Sequence, residues 1–253
     1  MEPRDRAPDA EPLAPHPVLP KYYGRAEERS GFVRQIFDRT AGDYDSVERL
    51  VGFGRGSRYR RQALIRAGLR PGMRVLDVAT GTGLVAREAL SLVGHAGAVV
   101  GLDPSAAMMR CGLGTAVLPL IQGSAEQLPL ADAQFDFVSL GFALRHVSDL
   151  RSVFREFYRV LRPGGIACVL EITPPRAVWA RRLLKFYLGG VVPALSRTLA
   201  RHDDTPLLLR YFWDTIEACA PPALVSEALE RAGFTAIHRH VEIHVFSEYT
   251  ARR

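Results

Sequence analysis

The stretch Val75-Leu76-Asp77-Val78-Ala79-Thr80-Gly81-Thr82-Gly83 constrains this chain more than any other. It begins as an apolar run of strand formers and breaks into a small-residue turn carrying two glycines. Leu84 to Val93 follows, with apolar residues at roughly helical spacing. Strand, glycine turn and helix form the layout of a nucleotide cradle. The glycines admit a close backbone approach, and the helix N-terminus offers free N–H groups. A second apolar run, Ala98 to Leu102, ends in Asp103. An acidic residue at the end of the second strand is placed to take a ribose hydroxyl pair.

Two ligand classes fit this layout, beside a plain strand–turn–helix crossover that binds nothing. Gly81-x-Gly83-x-x-Ala86 matches the pattern of dinucleotide sites, a weak signal when it stands alone. Asp77 points elsewhere. A carboxylate just before the glycine turn would repel a pyrophosphate, and it suits a cation such as the ammonium of S-adenosylmethionine. Asp77-x-Ala79-x-Gly81-x-Gly83 resembles the first motif of the class I methyltransferases.

The 253 residues suffice for one large α/β domain, and 47% hydrophobic and 24% charged residues describe an ordinary soluble protein. No run of eighteen apolar residues suggests a transmembrane helix, and the first residues lack a signal peptide's apolar core. Cys111, Cys168 and Cys219 are scattered and without metal spacing, which points to a reducing cytoplasm. The net charge of +6 permits an anionic partner without requiring one.

Residues 1–20 are rich in Pro, Ala and charge and read as a disordered tail, leaving 21–253 as the folded domain. Helices are expected over Ser30–Phe37, Val47–Val51 and Ser57–Ala67, the last with its arginines on a solvated face or, alternatively, in contact with a phosphate or headgroup. Ser105 is placed to cap a short helix ending near Gly112 or Gly114. Val117–Ile121, Phe135–Leu140 and Ile166–Leu170 read as further strands, and Leu150–Leu161 as an amphipathic helix stopped by Pro163-Gly164-Gly165. Strands separated by helices of this length imply a parallel sheet with right-handed crossovers. Phe212–Ile216 and Pro222–Ala232 read as helices. The end of the chain alternates, with Ile237, Val241, Ile243 and Val245 opposite His238, His240, Glu242 and His244. The polar set reads as a solvated edge-strand face and not as a metal site.

With these segments placed, the chain resembles the UbiE family of ubiquinone and menaquinone biosynthesis C-methyltransferases, from about Phe32 to Phe234. Phe37 to Tyr44-Asp45 is similar to the family's opening F…A..YD, and Val75–Gly83 to its LDVAGGTG, with Thr80 for a glycine. Ala125-Glu126-Gln127-Leu128-Pro129 and Phe135-Asp136 resemble A-E-x-L-P…FD. Leu144-Arg145-His146-Val147-Ser148-Asp149 resembles LRNVTD, and Arg159 to Gly165 resembles RVLKPGG. Ser124 stands for the usual Asp or Asn facing the adenine, Gly141 for a serine and His146 for an asparagine. Tyr211 to Ile216 matches only in part, and the closing G-I-V-A-I-H is replaced by Ile243 to Tyr249.

The resemblance implies a Rossmann-like α/β fold: a mostly parallel seven-stranded sheet with helices on both faces, an antiparallel edge strand and an acceptor cover over about 174–220. It implies S-adenosylmethionine as cofactor, held by Asp77, Ala79, Thr80, Gly81, Thr82 and Gly83 on the first turn. Asp103, Pro104, Ser105 and Met108 would follow the second strand. Ser124, Ala125 and Glu126, with Gly141 and Phe142, would complete the site. The acceptor would be a lipophilic or aromatic small molecule and not a nucleic acid. A ring carbon becomes nucleophilic when a neighbouring hydroxyl ionises, so the site needs a base or a cation. Arg145, beyond the fourth strand, is the expected cation, unless a neighbouring carboxylate claims it in an ion pair. His146 is the expected proton relay, with a satisfied histidine as its alternative. Tyr44 would close over the donor or acceptor. Glu171, Tyr187, Tyr211 and Trp213 would line the acceptor site. O- or N-methylation, a nicotinamide oxidoreductase and a non-catalytic donor-binding protein stand as alternatives.

Between Arg176 and Arg201, basic residues and aromatics flank an apolar stripe with no acidic residue. Such a segment can lie in a bilayer interface. A core-packed cover helix or a dimer contact explains the same pattern, and Gly189-Gly190 and Pro193 argue against one long helix.

Overall fold

The computed structural model describes residues 12–52, 54–95, 97–112, 118–175, 177–194 and 202–253. The sheet has seven strands: β1 (Arg74–Val78), β2 (Ala98–Asp103), β3 (Leu120–Gln122), β4 (Phe135–Gly141), β5 (Leu161–Ile172), β6 (Thr235–Glu242) and β7 (Phe246–Arg252). Their order is β3-β2-β1-β4-β5-β7-β6, and β7 runs antiparallel to both of its neighbours. The sheet grows outward in both directions from β1 and β4, so the carboxyl ends of these two strands flank a crevice. Ligands of open α/β sheets bind at such a reversal.

Period-two alternation sends the strand side chains to two cores. Leu76, Val78, Val138 and Leu140 meet α6 (Leu150–Val160) and α9 (Pro222–Arg231) on one face. Val75, Val99, Phe137 and Cys168 meet α3 (Gly56–Ala67) and α4 (Leu84–Val93) on the other. Leu150, Val153, Phe154, Phe157 and Val160 of α6 are fully buried, each worth about 1.5–3 kcal/mol. Asp149 caps that helix, accepting from the Arg151 and Ser152 N–H groups.

The expected tail is corrected in part. Residues 1–11 lie outside the described set, but 12–20 form a packed strap. The Leu13 N–H donates to Asp149 at 2.8 Å, and the Pro15 carbonyl accepts from the Ala220 N–H at 2.6 Å. His16 is buried, and its carbonyl accepts from Arg29 at 2.6 Å. Composition missed this because the strap has little core of its own and is held by backbone hydrogen bonds to distant helices.

Two further differences concern punctuation. Pro163-Gly164-Gly165 begins β5 instead of preceding it, because Leu161 already pairs with Phe135 before a register shift. The third strand is shorter than expected and starts at Leu120; Val117 and Gly114 lie outside the described residues. The cover consists of α7 (Val178–Phe186), a π-helical turn (Tyr187–Val191) and α8 (Thr205–Ala218). Gly189-Gly190 sits in the π turn, and α-helical residues resume at 192–194, so the glycines widen the helix without ending it. Arg176, Leu195, Arg197 and Arg201 lie outside the described residues. The N-terminal helices α1 (Arg29–Thr40) and α2 (Tyr44–Val51) fold over the crevice, and α5 (Ala106–Gly112) follows β2.

Candidate active site

The glycine turn leaves β1 with its backbone in the left-handed region at Ala79 (φ 52°), Gly81 (φ 56°) and Gly83 (φ 81°). Only glycine holds this conformation without steric strain, and Gly83 opens α4. Any side chain at Gly81 would also stand 3.3 Å from the Met108 methyl. Thr80 fits where the family pattern has glycine because a glycine faces it: a Cβ at Gly101 would lie 2.9 Å from its methyl. The Thr80 hydroxyl donates to Asp77 at 2.7 Å, and Ser139 donates to the other Asp77 oxygen at 2.6 Å. Burial pushes the Asp77 carboxyl up to about 6, against the pull of these two hydroxyls.

Asp103 accepts from the Gly81 N–H and from the Ser105 N–H, both at 2.8 Å. The carboxylate thus ties the first turn to the second. Burial raises it to about 6 as well, opposed by those two donors. The Ser105 hydroxyl accepts from the Met108 N–H at 3.0 Å and donates to Asp38 of α1 at 2.5 Å. Thr82 donates to Asp45 of α2 at 2.6 Å, and Arg87 approaches the same carboxylate at 3.7 Å. The N-terminal helices are therefore clamped onto the donor turn. Pro104 is exposed and accepts from Gln122 through its carbonyl. Ser124 bonds to Glu126, which accepts from the Ser148 N–H at 2.6 Å. Ala125 points into the core beside Leu128, leaving its backbone for a ligand. Gly141 ends β4 against Val85, and Phe142 follows with φ 59°.

Beside this turn opens a cavity of about 910 Å³. One wall is a helical stripe of α2, Tyr44, Val47, Glu48 and Val51; Phe142 and Arg145 form the floor; Leu184, Tyr187, Leu188, Leu209, Phe212 and Ile216 form the cover. Tyr44 and Tyr187 line it, and Tyr187 donates to the Leu50 carbonyl at 2.8 Å. Burial pushes the Tyr44 hydroxyl up to about 12.

Four expectations are corrected. Glu171 is buried away from the cavity and forms an ion pair with Arg145, also accepting from the Arg145 N–H at 3.2 Å. Arg145 lines the cavity, 5.4 Å from the Phe212 ring, but as half of that pair. Its Nε is buried without a partner among the described residues. His146 does not reach the cavity. It stacks on Tyr211 (5.4 Å) and meets Phe37 edge-on (5.3 Å), and neither ring nitrogen has a partner among the described residues. Burial first, then the Arg145 charge, holds it well below the usual histidine range, so it is a neutral core side chain. Tyr211 packs with Tyr22 and Phe32, and Trp213 packs with Leu188, Leu209 and Ile216. Neither lines the cavity, because α8 presents its Leu209–Phe212–Ile216 stripe there; Trp213 packs behind that stripe and Tyr211 lies on the other side of the helix.

Several lining residues escaped sequence reasoning. Glu48 is one turn from Tyr44 and pairs with the buried Arg60 at 2.6 Å. Arg66 bridges Glu242 (2.5 Å) and Glu248 (2.6 Å). The arginines of α3 are thus not one solvated face. Helical spacing at 44, 47, 48 and 51 was the available signal. His240, Glu242 and Glu248 place ligand atoms within 4.8 Å of one another, but Arg66 already balances both carboxylates.

The family model described as "ubiE/COQ5 methyltransferase family" matches residues 24–245. The chain belongs to the ubiE/COQ5 methyltransferase family. It is 33% identical over 220 residues to the ubiquinone/menaquinone biosynthesis C-methyltransferase UbiE of Xanthomonas oryzae, covering 84% of this chain and 86% of that one. It is 33% identical over 219 residues to the demethylmenaquinone methyltransferase of Geobacillus kaustophilus, covering 83% and 90%. Among solved structures, the putative methyltransferase in the Haloferax volcanii Trm112 complex matches with a TM-score of 0.63 and 19% identity, covering 87% of this chain and 96% of that one. A possible histamine N-methyltransferase from Thermotoga maritima matches with 0.60 and 19%, covering 87% and 98%. At that identity these two speak for the fold alone.

This chain is therefore an S-adenosylmethionine-dependent methyltransferase, and the nicotinamide reading of the glycine turn is displaced. The residues fit the donor. Gly81 keeps the backbone bare, Asp103 retains carboxylate lone pairs beyond its two internal donors, and Asp77 offers negative charge. Among the described residues no helix is long and apolar enough to cross a membrane.

Proposed function

We propose that this enzyme methylates a ring carbon of a lipophilic, quinone-type acceptor. The observation that carries the reading is the 910 Å³ cavity, whose cover and α2 wall are mostly aliphatic and aromatic and whose floor carries Arg145. The relatives named for ubiquinone, menaquinone and demethylmenaquinone methylation support it.

S-adenosylmethionine supplies an electrophilic methyl group on a sulfonium. The chain's own residues do the rest. The aliphatic walls hold the ring and its tail, and alignment of the ring carbon can supply about 7–11 kcal/mol of the barrier. The ring carbon gains electron density when the adjacent hydroxyl ionises. Arg145 is neutralised by Glu171, so it acts through direction: its Nε–H is buried, and the edge of the guanidinium that lines the cavity floor donates to the ring oxygen. Stabilising the phenolate in this way lets its proton leave to water. Once the ring carbon has taken the methyl group in exchange for the broken sulfur–methyl bond, its own C–H proton is lost to water and the ring regains aromaticity. Tyr44, with its hydroxyl raised to about 12, stays protonated and serves as a second donor at neutral pH.

The test is methyl transfer to a short-chain prenylated hydroquinone, read by mass and by the carbon-bound methyl signal in NMR. Arg145→Ala should lower kcat by roughly 10²–10³ with donor affinity nearly intact. A methyl group found on oxygen or nitrogen would refute C-methylation, and an unchanged kcat in Arg145→Ala would return Arg145 to a structural role.

A further inference from the structure

Helix α7 buries none of its residues. At 3.6 residues per turn, Trp179, Leu183 and Phe186 fall on one stripe, and they are 72%, 61% and 68% exposed. Leu184 and, in the π turn, Tyr187 and Leu188 fall on the other side and line the cavity. The helix is thus a thin wall, apolar both toward the cavity and toward the outside. In the β6–β7 turn, Ile243 likewise both lines the cavity and is 72% exposed.

The lining carboxylates Glu48 and Glu242 are paired with Arg60 and Arg66, and the charge left without a partner among the described residues around this apolar surface is positive. Arg182 borders the stripe, and Arg55 and Arg58 stand on the cavity rim; all three are exposed and lack ion-pair partners among the described residues. Arg181 and Lys185 share the single carboxylate of Glu217, at 2.8 and 3.3 Å. A second copy of the chain placed on this face by a two-fold axis would bring these cations together. An anionic lipid surface complements them.

We propose that the outer stripe of α7, with Ile243, docks on an anionic bilayer and turns the cavity mouth toward it. The apolar stripe enters the interface while the rim arginines meet headgroups. A lipophilic acceptor then reaches the cavity without crossing water. This last step rests on the proposed acceptor class; the docking itself does not.

The test reads binding without turnover. The full chain is mixed with vesicles of phosphatidylcholine alone and of phosphatidylcholine with phosphatidylglycerol, then sedimented at low and high salt. Binding should appear on the anionic vesicles and fade with salt. Removing Arg182 or Arg58 should weaken it about fivefold each. Trp179→Ser/Leu183→Ser should abolish sedimentation. Of the two tryptophans in the chain, Trp213 is buried, so a blue shift of emission on binding reports Trp179. Retained melting temperature in the double variant keeps that result from being a folding defect. Absence of binding to either vesicle, or equal binding by the double variant, would overturn the proposal. So would a wild-type dimer in sedimentation velocity that the double variant disperses, since the face would then belong to a second copy.

Discussion

Removing Glu171 should destabilise this enzyme more than any other single truncation at the site. Arg145 and Glu171 keep only 4% and 1% of their side-chain surface exposed. One Glu171 oxygen accepts from the Arg145 guanidinium and from the Ile172 N–H at 2.7 Å; the other accepts from the Arg145 N–H at 3.2 Å. The guanidinium also donates to the Phe142 carbonyl at 2.8 Å, so it cannot swing out to solvent without opening the end of β4. Glu171→Ala therefore strands a buried cation and two backbone N–H groups. A broken buried pair costs about 3–5 kcal/mol. At roughly 2–4 °C per kcal/mol for a chain of this size, the midpoint should fall by about 6–20 °C. Arg145→Met alone should also destabilise, but Arg145→Met/Glu171→Ala should recover much of the loss, because no unpaired charge remains. Thermal unfolding by circular dichroism across the four proteins gives the coupling, expected above about 1 kcal/mol. A single Glu171→Ala variant within about 2 °C of wild type, or strict additivity in the cycle, would show that the charge is solvated and the reasoning wrong.

Asp103→Ala should weaken S-adenosylmethionine binding by about 1.5–3 kcal/mol in calorimetry, and unchanged affinity would reject Asp103 as the ribose acceptor. Burial raises Asp103 to about 6, so the folded chain holds that proton between about pH 4 and pH 6, where the unfolded chain has released it. Its contribution to stability is present at low pH and is lost as pH rises through 6, whereas its strength as an acceptor grows over the same range. Donor affinity should therefore fall between about pH 7.5 and pH 5.5 in wild type and fall less steeply in Asp103→Asn, where Asp77 alone, also raised to about 6, still titrates. His146→Met should keep both stability and kcat, because a ring with two unpartnered nitrogens in an aromatic cage loses no hydrogen bond; a tenfold fall in kcat with a new acid limb would restore it as a relay. Gly141→Ala would place a Cβ 2.6 Å from the Val85 methyl and should cost about 1–3 kcal/mol in denaturant titration.

The strand, glycine turn and helix around Gly81 were legible in the amino-acid order because their determinants are local. The β1 turn, Gly81, Gly83 and the start of α4 lie within a dozen residues, and positive φ at glycine is a property of the residue itself. Asp103 was equally readable, since β2 must end beside β1 for its carboxylate to reach the Gly81 N–H. The acceptor half was not. Whether Arg145 meets a carboxylate depends on the parallel register of β4 and β5, which sets Glu171 beside it across 26 residues. Which side of α8 faces the cavity depends on how the cover packs, and that buried Tyr211 and Trp213 while presenting Phe212. The strap at 12–20 is held by Asp149, 136 residues away. Residue type and spacing encode backbone conformation and amphipathic faces; the neutralisation of a charge, or the lining of a cavity, is fixed only when distant elements meet, because electrostatic and packing energies act through space and not along the chain.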